Sequence, residues 1–140
     1  MRLMIDTNVI LDVLLRRDEF FSDSKAVLSL CESRRAEGFL SASAVTDLFY
    51  LTRKALGSTD EAYKVIGSLL NIVRVLTVTN DDATQAFLIR AKDFEDCLLA
   101  ACAKSNKCDC IVTRNKKDFL SFGIPLYTPA EFLALLNGRP

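Results

Sequence analysis

The sequence contains no histidine. That absence excludes imidazole acid–base catalysis, Ser-His-Asp and Cys-His arrangements and His-ligated metals. It leaves carboxylates, cysteines, lysines and water as the chemical repertoire. Charge of either sign is also not in excess, because 18 Lys and Arg balance 18 Asp and Glu. Nucleic-acid binding usually shows as a basic surplus, so such a partner would have to be met by a local patch. Long hydrophobic runs are missing too. The longest apolar region, VIGSLLNIVRVLTVT (65–79), is split by Asn71 and Arg74 and is too short to span a bilayer. The N-terminal apolar run is broken by Asp6 and Asp12 with no small-residue cleavage site behind it, so it does not read as a secretory signal. With no repeat, low-complexity tract or Pro/Gly-rich linker, residues 1–140 are expected to form one soluble domain with a sizeable core.

Five cysteines are present, an odd set. Cys97 and Cys102 lie in an apolar helical stretch, where a free thiol behaves as a small hydrophobe. Cys108 and Cys110 are the only close pair, and C-x-C without a second pair lacks zinc-ribbon spacing. Buried reduced thiols and a cytoplasmic location are the expectation.

Short β-branched runs alternate with longer helical ones. RLMI (2–5), FLSAS (39–43), RVLTVT (74–79), CIVT (110–113) and PLYT (125–128) read as strands. Helices are expected over 8–17, over 22–38 (opened by Ser22 or Asp23 and stopped by Gly38), and over 42–57 (closed by Arg53, Lys54 and Gly57). Further helices are expected over 58–73, with Ser58 and Glu61 as a capping box, over 81–92, over 93–106, and from Thr128 with Pro129 in its first turn. Strands separated by helices imply a three-layer α/β/α sandwich around a central, mainly parallel sheet of 4–5 strands.

In such sheets function collects at the carboxyl ends of the strands. Asp6 directly follows the first strand, and Asp118 lies five residues past CIVT in the loop TRNKKDF. Asp47 and Asp96 fall in the opening turns of two helices. Four carboxylates remote in sequence are therefore drawn toward one rim. Like charges that close oppose one another's ionisation, and a divalent cation reverses that balance. Hard oxygen donors without His point to Mg²⁺ or Mn²⁺, which commonly complete their shell with phosphate oxygens. The expected chemistry is metal-assisted phosphodiester hydrolysis. Asp93, three residues before Asp96, reads mainly as a helix cap, while Asp12 stays open between surface and site.

The segments MIDTNVILD, SAVTDLFYLTRK, DFEDCLLAACA and IVTRNKKDF, in this order, resemble the PIN-domain family. Within it they are most similar to the small single-domain bacterial members that include VapC-like toxin ribonucleases. The resemblance implies that Asp6 and Asp96 bind metal directly, and Asp118 directly or through water. The family usually has Glu where this chain has Asp47, so that acid would act through a water or shift a second metal. Thr7 and Asn8 would orient Asp6, and Thr113 and Asn115 would steer water or phosphate. RNA is the implied substrate, a homodimer the implied assembly, and an antitoxin protein the implied partner.

Arg114, Lys116 and Lys117 flank the expected metal site and are candidates for RNA phosphate contacts. Arg16, Arg17, Arg53 and Lys54 read instead as helix-end cations. Phe20, Phe21 and Phe119 read as packing residues in preference to base-stacking ones. Two alternatives stand beside the nuclease. One is an RNA- or protein-binding module of the same fold without catalysis. The other is an aspartyl-phosphate phosphatase of the haloacid dehalogenase type, whose D-x-D motif would need a second Asp where Asn8 stands.

Overall fold

The sheet begins with RLMI, whose side chains alternate between two faces as strand geometry requires. In the computed structural model, which describes residues 1–138, this is β1 (Arg2–Ile5). It is joined by β2 (Glu37–Ser41), β3 (Arg74–Leu76), β4 (Cys110–Val112) and β5 (Leu126–Tyr127). All pair in parallel, in the order β3-β2-β1-β4-β5. Leu3 and Ile5 enter one core with Cys110 and Val112, while Met4 and Ile111 enter a second on the opposite face.

Among the described residues seven helices cover these faces: α1 (Thr7–Leu14), α2 (Asp18–Glu32), α3 (Ala42–Leu56), α4 (Thr59–Leu70), α5 (Asn80–Ile89), α6 (Phe94–Ser105) and α7 (Pro129–Asn137). The first core takes Val9, Ile10, Val27, Leu48, Ile66 and Phe132, so α1–α4 and α7 lie on its side. The second takes Ala86, Cys97, Ala100, Phe119 and Phe122, from α5, α6 and a 3-10 segment, Lys116–Phe122. The expected three-layer α/β/α arrangement with a parallel five-stranded sheet is present. Strand order reverses between β1 and β4, and a crevice opens outside the carboxyl ends of strands at such a switch.

Several expected boundaries are corrected. The second helix starts at Asp18 rather than Ser22 or Asp23, with Asp18 and Glu19 complementing the positive end of its dipole. It ends at Glu32 because Arg34 turns the chain with φ 62°, a left-handed conformation a non-glycine residue does not announce. Gly38 is therefore not a helix stop but part of β2. The first helix stops at Leu14, so Arg16 and Arg17 lie beyond it; Arg16 stacks on Phe21 at 4.9 Å. Gly57 closes α3 in the left-handed conformation, as expected. The Ser58 cap holds, but Glu61 pairs with Lys64 rather than completing the box. Complete boxes occur at Thr79–Asp82 and Thr128–Glu131 instead. β3 is cut to Leu76, and Asp118 lies in the 3-10 segment, not in a loop.

The role of Gly38 is close approach. A Cβ there would meet Cys31 Sγ at 2.7 Å, Val73 Cγ1 at 3.0 Å and Ile5 Cδ1 at 3.1 Å, all from buried residues. Gly38→Ala is expected to destabilise the protein by about 1–3 kcal/mol through overpacking. Urea denaturation reads this directly, and an unchanged midpoint would show that α2 can shift off the sheet at no cost.

Candidate functional site

Asp6 sits where β1 becomes α1. Its backbone N–H still pairs with the Val112 carbonyl of β4 at 2.9 Å, and its side chain caps α1 by accepting from the Thr7 N–H at 2.8 Å. The other oxygen accepts from the Thr113 hydroxyl at 2.8 Å, and that hydroxyl accepts in turn from the Asn115 N–H at 3.0 Å. Thr113 is fully buried just past β4, so its hydroxyl adds a side-chain link to the backbone pairing of the two strands that flank the switch point. Asp6 is 8 % exposed, and that exposed part faces a cavity of about 490 Å³.

The cavity gathers the expected acids. Asp6, Asp47, Asp96 and Asp118 all line it, together with Thr7, Asn8 and Asn115. Asp93 and Glu95 bring the carboxylates around it to six. Asp93 does cap α6, its Oδ1 accepting from the Asp96 N–H at 3.2 Å, while also facing the cavity. Glu95 and the Ser41–Ser43 hydroxyl pair, 3.0 Å apart at the end of β2, are additions that strand-end reasoning missed. The signal for Glu95 was available: it adjoins Asp96 in the first turn of α6, and both side chains line the cavity.

Electrostatically the site is strained. Among the described residues none of these carboxylates is in an ion pair. Burial pushes the Asp96 carboxyl from 3.8 up to about 7, aided by the charges of Asp93, Asp6, Asp118 and Glu95. Asp6 is raised by burial against the lowering hydrogen bonds from Thr113 and Thr7. Glu95 is raised by its hydrogen bond with Asp47, then by burial and by Asp47, Asp93 and Asp6. The Asn8 side-chain oxygen is buried without a hydrogen-bond partner. Hard oxygen donors, uncompensated negative charge and an orphaned amide oxygen fit a divalent cation. The acids surround the cavity rather than converging on a point: among the described residues no three form a ready-made metal group.

None of the nearby cations lines the cavity, and two of the three in TRNKK are engaged elsewhere. Arg114 Nε donates to Asp12 Oδ2 at 2.8 Å, and its guanidinium covers the Phe20 ring at 3.9 Å. Lys116 reaches Glu131 at 2.9 Å, whereas Lys117 is exposed and in none of the ion pairs formed by the described residues. Asp12, left open from the sequence, is fully buried outside the cavity, with Ser24 and Arg17 as further partners. Phe119 is in the core and Phe21 lies under Arg16 and Lys25, so the packing expectation for the aromatics holds. All five cysteines are free, and burial holds Cys31, Cys102 and Cys108 at about 11 and Cys110 at about 12, as poor nucleophiles and ligands.

Comparison with known proteins follows the same outline. The family profile described as PIN domain matches residues 2–117. Curated proteins yield no match. Among solved structures, DNA-bound VapBC from Salmonella typhimurium aligns with TM-score 0.73 at 20% identity, over 92% of this chain and 98% of that one. A toxin–antitoxin complex from Klebsiella pneumoniae aligns with TM-score 0.67 at 22% identity, over 91% and 97%. Mycobacterium tuberculosis VapC20, a sarcin–ricin loop cleaving toxin, aligns with TM-score 0.61 at 21% identity, over 78% and 86%. At these identities the likeness is one of fold.

The raised Asp96 carboxyl has a thermodynamic consequence. A carboxyl whose pKa is higher folded than unfolded contributes stability at low pH and loses it as pH rises through the folded value. Metal-free protein is therefore expected to lose stability between pH ~4 and pH ~7. Asp96→Asn should flatten that slope and melt above the wild type at pH 8 in a chelator. Parallel pH–melting curves for the two proteins would contradict this electrostatic account.

Proposed function

The chain belongs to the PIN-domain family, and from that membership and the acidic cavity we propose that it is a divalent-metal-dependent endoribonuclease, the toxin of a toxin–antitoxin pair. The observation that carries the reading is a cavity ringed by six carboxylates with no cation of the described residues paired to them. Folding gains nothing from such an arrangement, whereas a Mg²⁺ or Mn²⁺ ion would reverse its sign. In this reading Asp6 and Asp96 bind the ion directly, and Asp118 does so directly or through water. The chemistry a bound ion supplies is polarisation of the phosphoryl group and a lowered pKa for the attacking water.

The remaining residues orient and exclude. Thr7 and Thr113 hold one Asp6 oxygen each, which fixes the rotamer of the first acid. Asn8 and Asn115, both on the cavity wall, steer water or phosphate. Asp47, with a side chain one methylene shorter than Glu, shares its edge of the cavity with Glu95. Lys117 is the RNA-facing cation of the TRNKK segment, while Arg114 and Lys116 would have to leave their present partners to serve as phosphate contacts. An aspartyl-phosphatase reading gains no support, because Asn8 replaces the second acid of D-x-D.

The reading includes a single domain over residues 1–140 and a cytoplasmic location, where the five free thiols would stay reduced. No helix of the described residues is long and apolar enough to cross a membrane. It also includes a homodimer and an antitoxin partner, for which exposed apolar side chains such as Phe87 (66 %), Leu88 (65 %) and Phe94 (50 %) offer a surface. The fold likeness to a toxin–antitoxin complex and to a loop-cleaving toxin supports this part.

Incubation of the purified protein with single-stranded RNA and Mn²⁺ tests the proposal. Cleavage is expected, and Asp6→Asn or Asp96→Asn should slow it roughly a hundredfold or more, the scale of losing one preorganised electrostatic group. Cleavage insensitive to both substitutions would remove the site assignment. Metal uptake and RNA binding without cleavage would leave a binding module of the same fold. Sedimentation gives a second check: replacing Phe87 and Leu88 by Asp should turn a dimer into a monomer.

A further inference from the structure

Arg114 and Thr113 are consecutive residues at the exit of β4, and they grip the two ends of one helix. Thr113 donates its hydroxyl to Asp6 Oδ2 at 2.8 Å, at the N-cap of α1. Arg114 donates Nε to Asp12 Oδ2 at 2.8 Å, near the C-terminal end of α1. Asp12 is 0 % exposed and is further held by Ser24 of α2 at 3.1 Å, with Arg17 at 3.7 Å. Phe20 of α2 closes the other side of the guanidinium, 3.9 Å from its ring centroid. Reaching an RNA phosphate would require Arg114 to lift off this ring and abandon a fully buried carboxylate, which is strongly unfavourable.

We infer that Arg114 is a positioning residue for the metal-dependent site rather than a contact to RNA. Paired with Asp12, it pins the β4 exit to α1, so that the Thr113 hydroxyl stays on Asp6 and the carboxylate keeps its aim into the cavity. The bonds at Asp6, from the Thr113 hydroxyl and to the Val112 carbonyl, tie only the N-terminal end of α1 to β4. The buried ion pair one residue away supplies the second point, and two points define the rotation of α1 against β4. The same pairing holds the Arg114 guanidinium outside the cavity. The inference rests on the metal-dependent reading above.

The test compares two affinities across one set of full-length variants. Mn²⁺ affinity is measured by titration calorimetry, and affinity for a fluorescein-labelled single-stranded oligoribonucleotide by anisotropy in EDTA over a range of salt. Arg114→Gln and Asp12→Asn are each expected to weaken Mn²⁺ binding about tenfold, the scale for residues that orient a ligand. The double variant should be no worse than the worse single one, since both remove the same pair. RNA affinity and its salt dependence should stay within twofold of wild type. Lys117→Gln should do the reverse, lowering the salt slope by about 0.7 with Mn²⁺ affinity unchanged.

An Arg114→Gln protein that loses about 0.7 of salt slope but keeps its Mn²⁺ affinity would overturn the inference and make Arg114 a phosphate contact. If either single variant fails to fold, the neutral Asp12→Asn/Arg114→Gln pair, which orphans no buried charge, carries the same comparison. Thr113→Val tests the last link with an isosteric side chain, and unchanged Mn²⁺ affinity there would also overturn the clamp. Wild-type protein that takes up no Mn²⁺ would sink the metal-dependent reading itself, an outcome distinct from variants that bind as the wild type does.

Discussion

Asp6 is buried at the end of the first strand with one hydrogen-bond donor on each oxygen and no ion-pair partner among the described residues. Much of the site's organisation follows from holding that charge in place. Two hydrogen bonds offset only part of the desolvation, and five further carboxylates around the same cavity add repulsion. The fold tolerates this because the cost is local and its scaffold lies elsewhere, in two apolar cores on either face of the parallel sheet. The switch point between β1 and β4 gives the carboxylate an opening to face, and the helices leaving β2 and preceding β4, with the 3-10 segment that follows β4, bring the other acids to that opening.

The cations show the same economy of placement. Net charge is zero, yet positive groups near the site are directed away from it: Arg114 to Asp12 and Lys116 to Glu131. Glu131 meanwhile completes the capping box of α7, so the last helix is tied to the segment that carries Asp118. The result is a cavity that stays negative inside a neutral protein.

Much of the architecture was legible because parallel strands buried on both faces read as short apolar runs between amphipathic helices. RLMI, CIVT and the Gly57 stop are instances where local chemistry and tertiary structure agree. The failures were at places where a local signal competed with packing. Ser22 and Asp23 looked like caps, but α2 begins four residues earlier, where Phe20 and Phe21 pack under Arg114 and Arg16. Gly38 looked like a helix stop, whereas it is the smooth patch on β2 that lets Cys31 approach. Glu95 follows no strand end, and its place at the cavity depends on how α6 is rotated against the sheet.

By itself the sequence determined the class of fold, the absence of imidazole chemistry, and the placement of Asp6, Asp47, Asp96 and Asp118 on one rim. Strand ends and helix starts of a parallel sheet must share an edge, whatever the details of packing. Tertiary structure alone decided the charge balance of that edge. Whether Arg114 faces the acids or Asp12 depends on one helix's rotation, and Asp12 could not be assigned from sequence because a buried ion pair and a metal ligand draw on the same residue types. Charge counts are sums over the chain, whereas the field in a cavity depends on which few charges are held beside it.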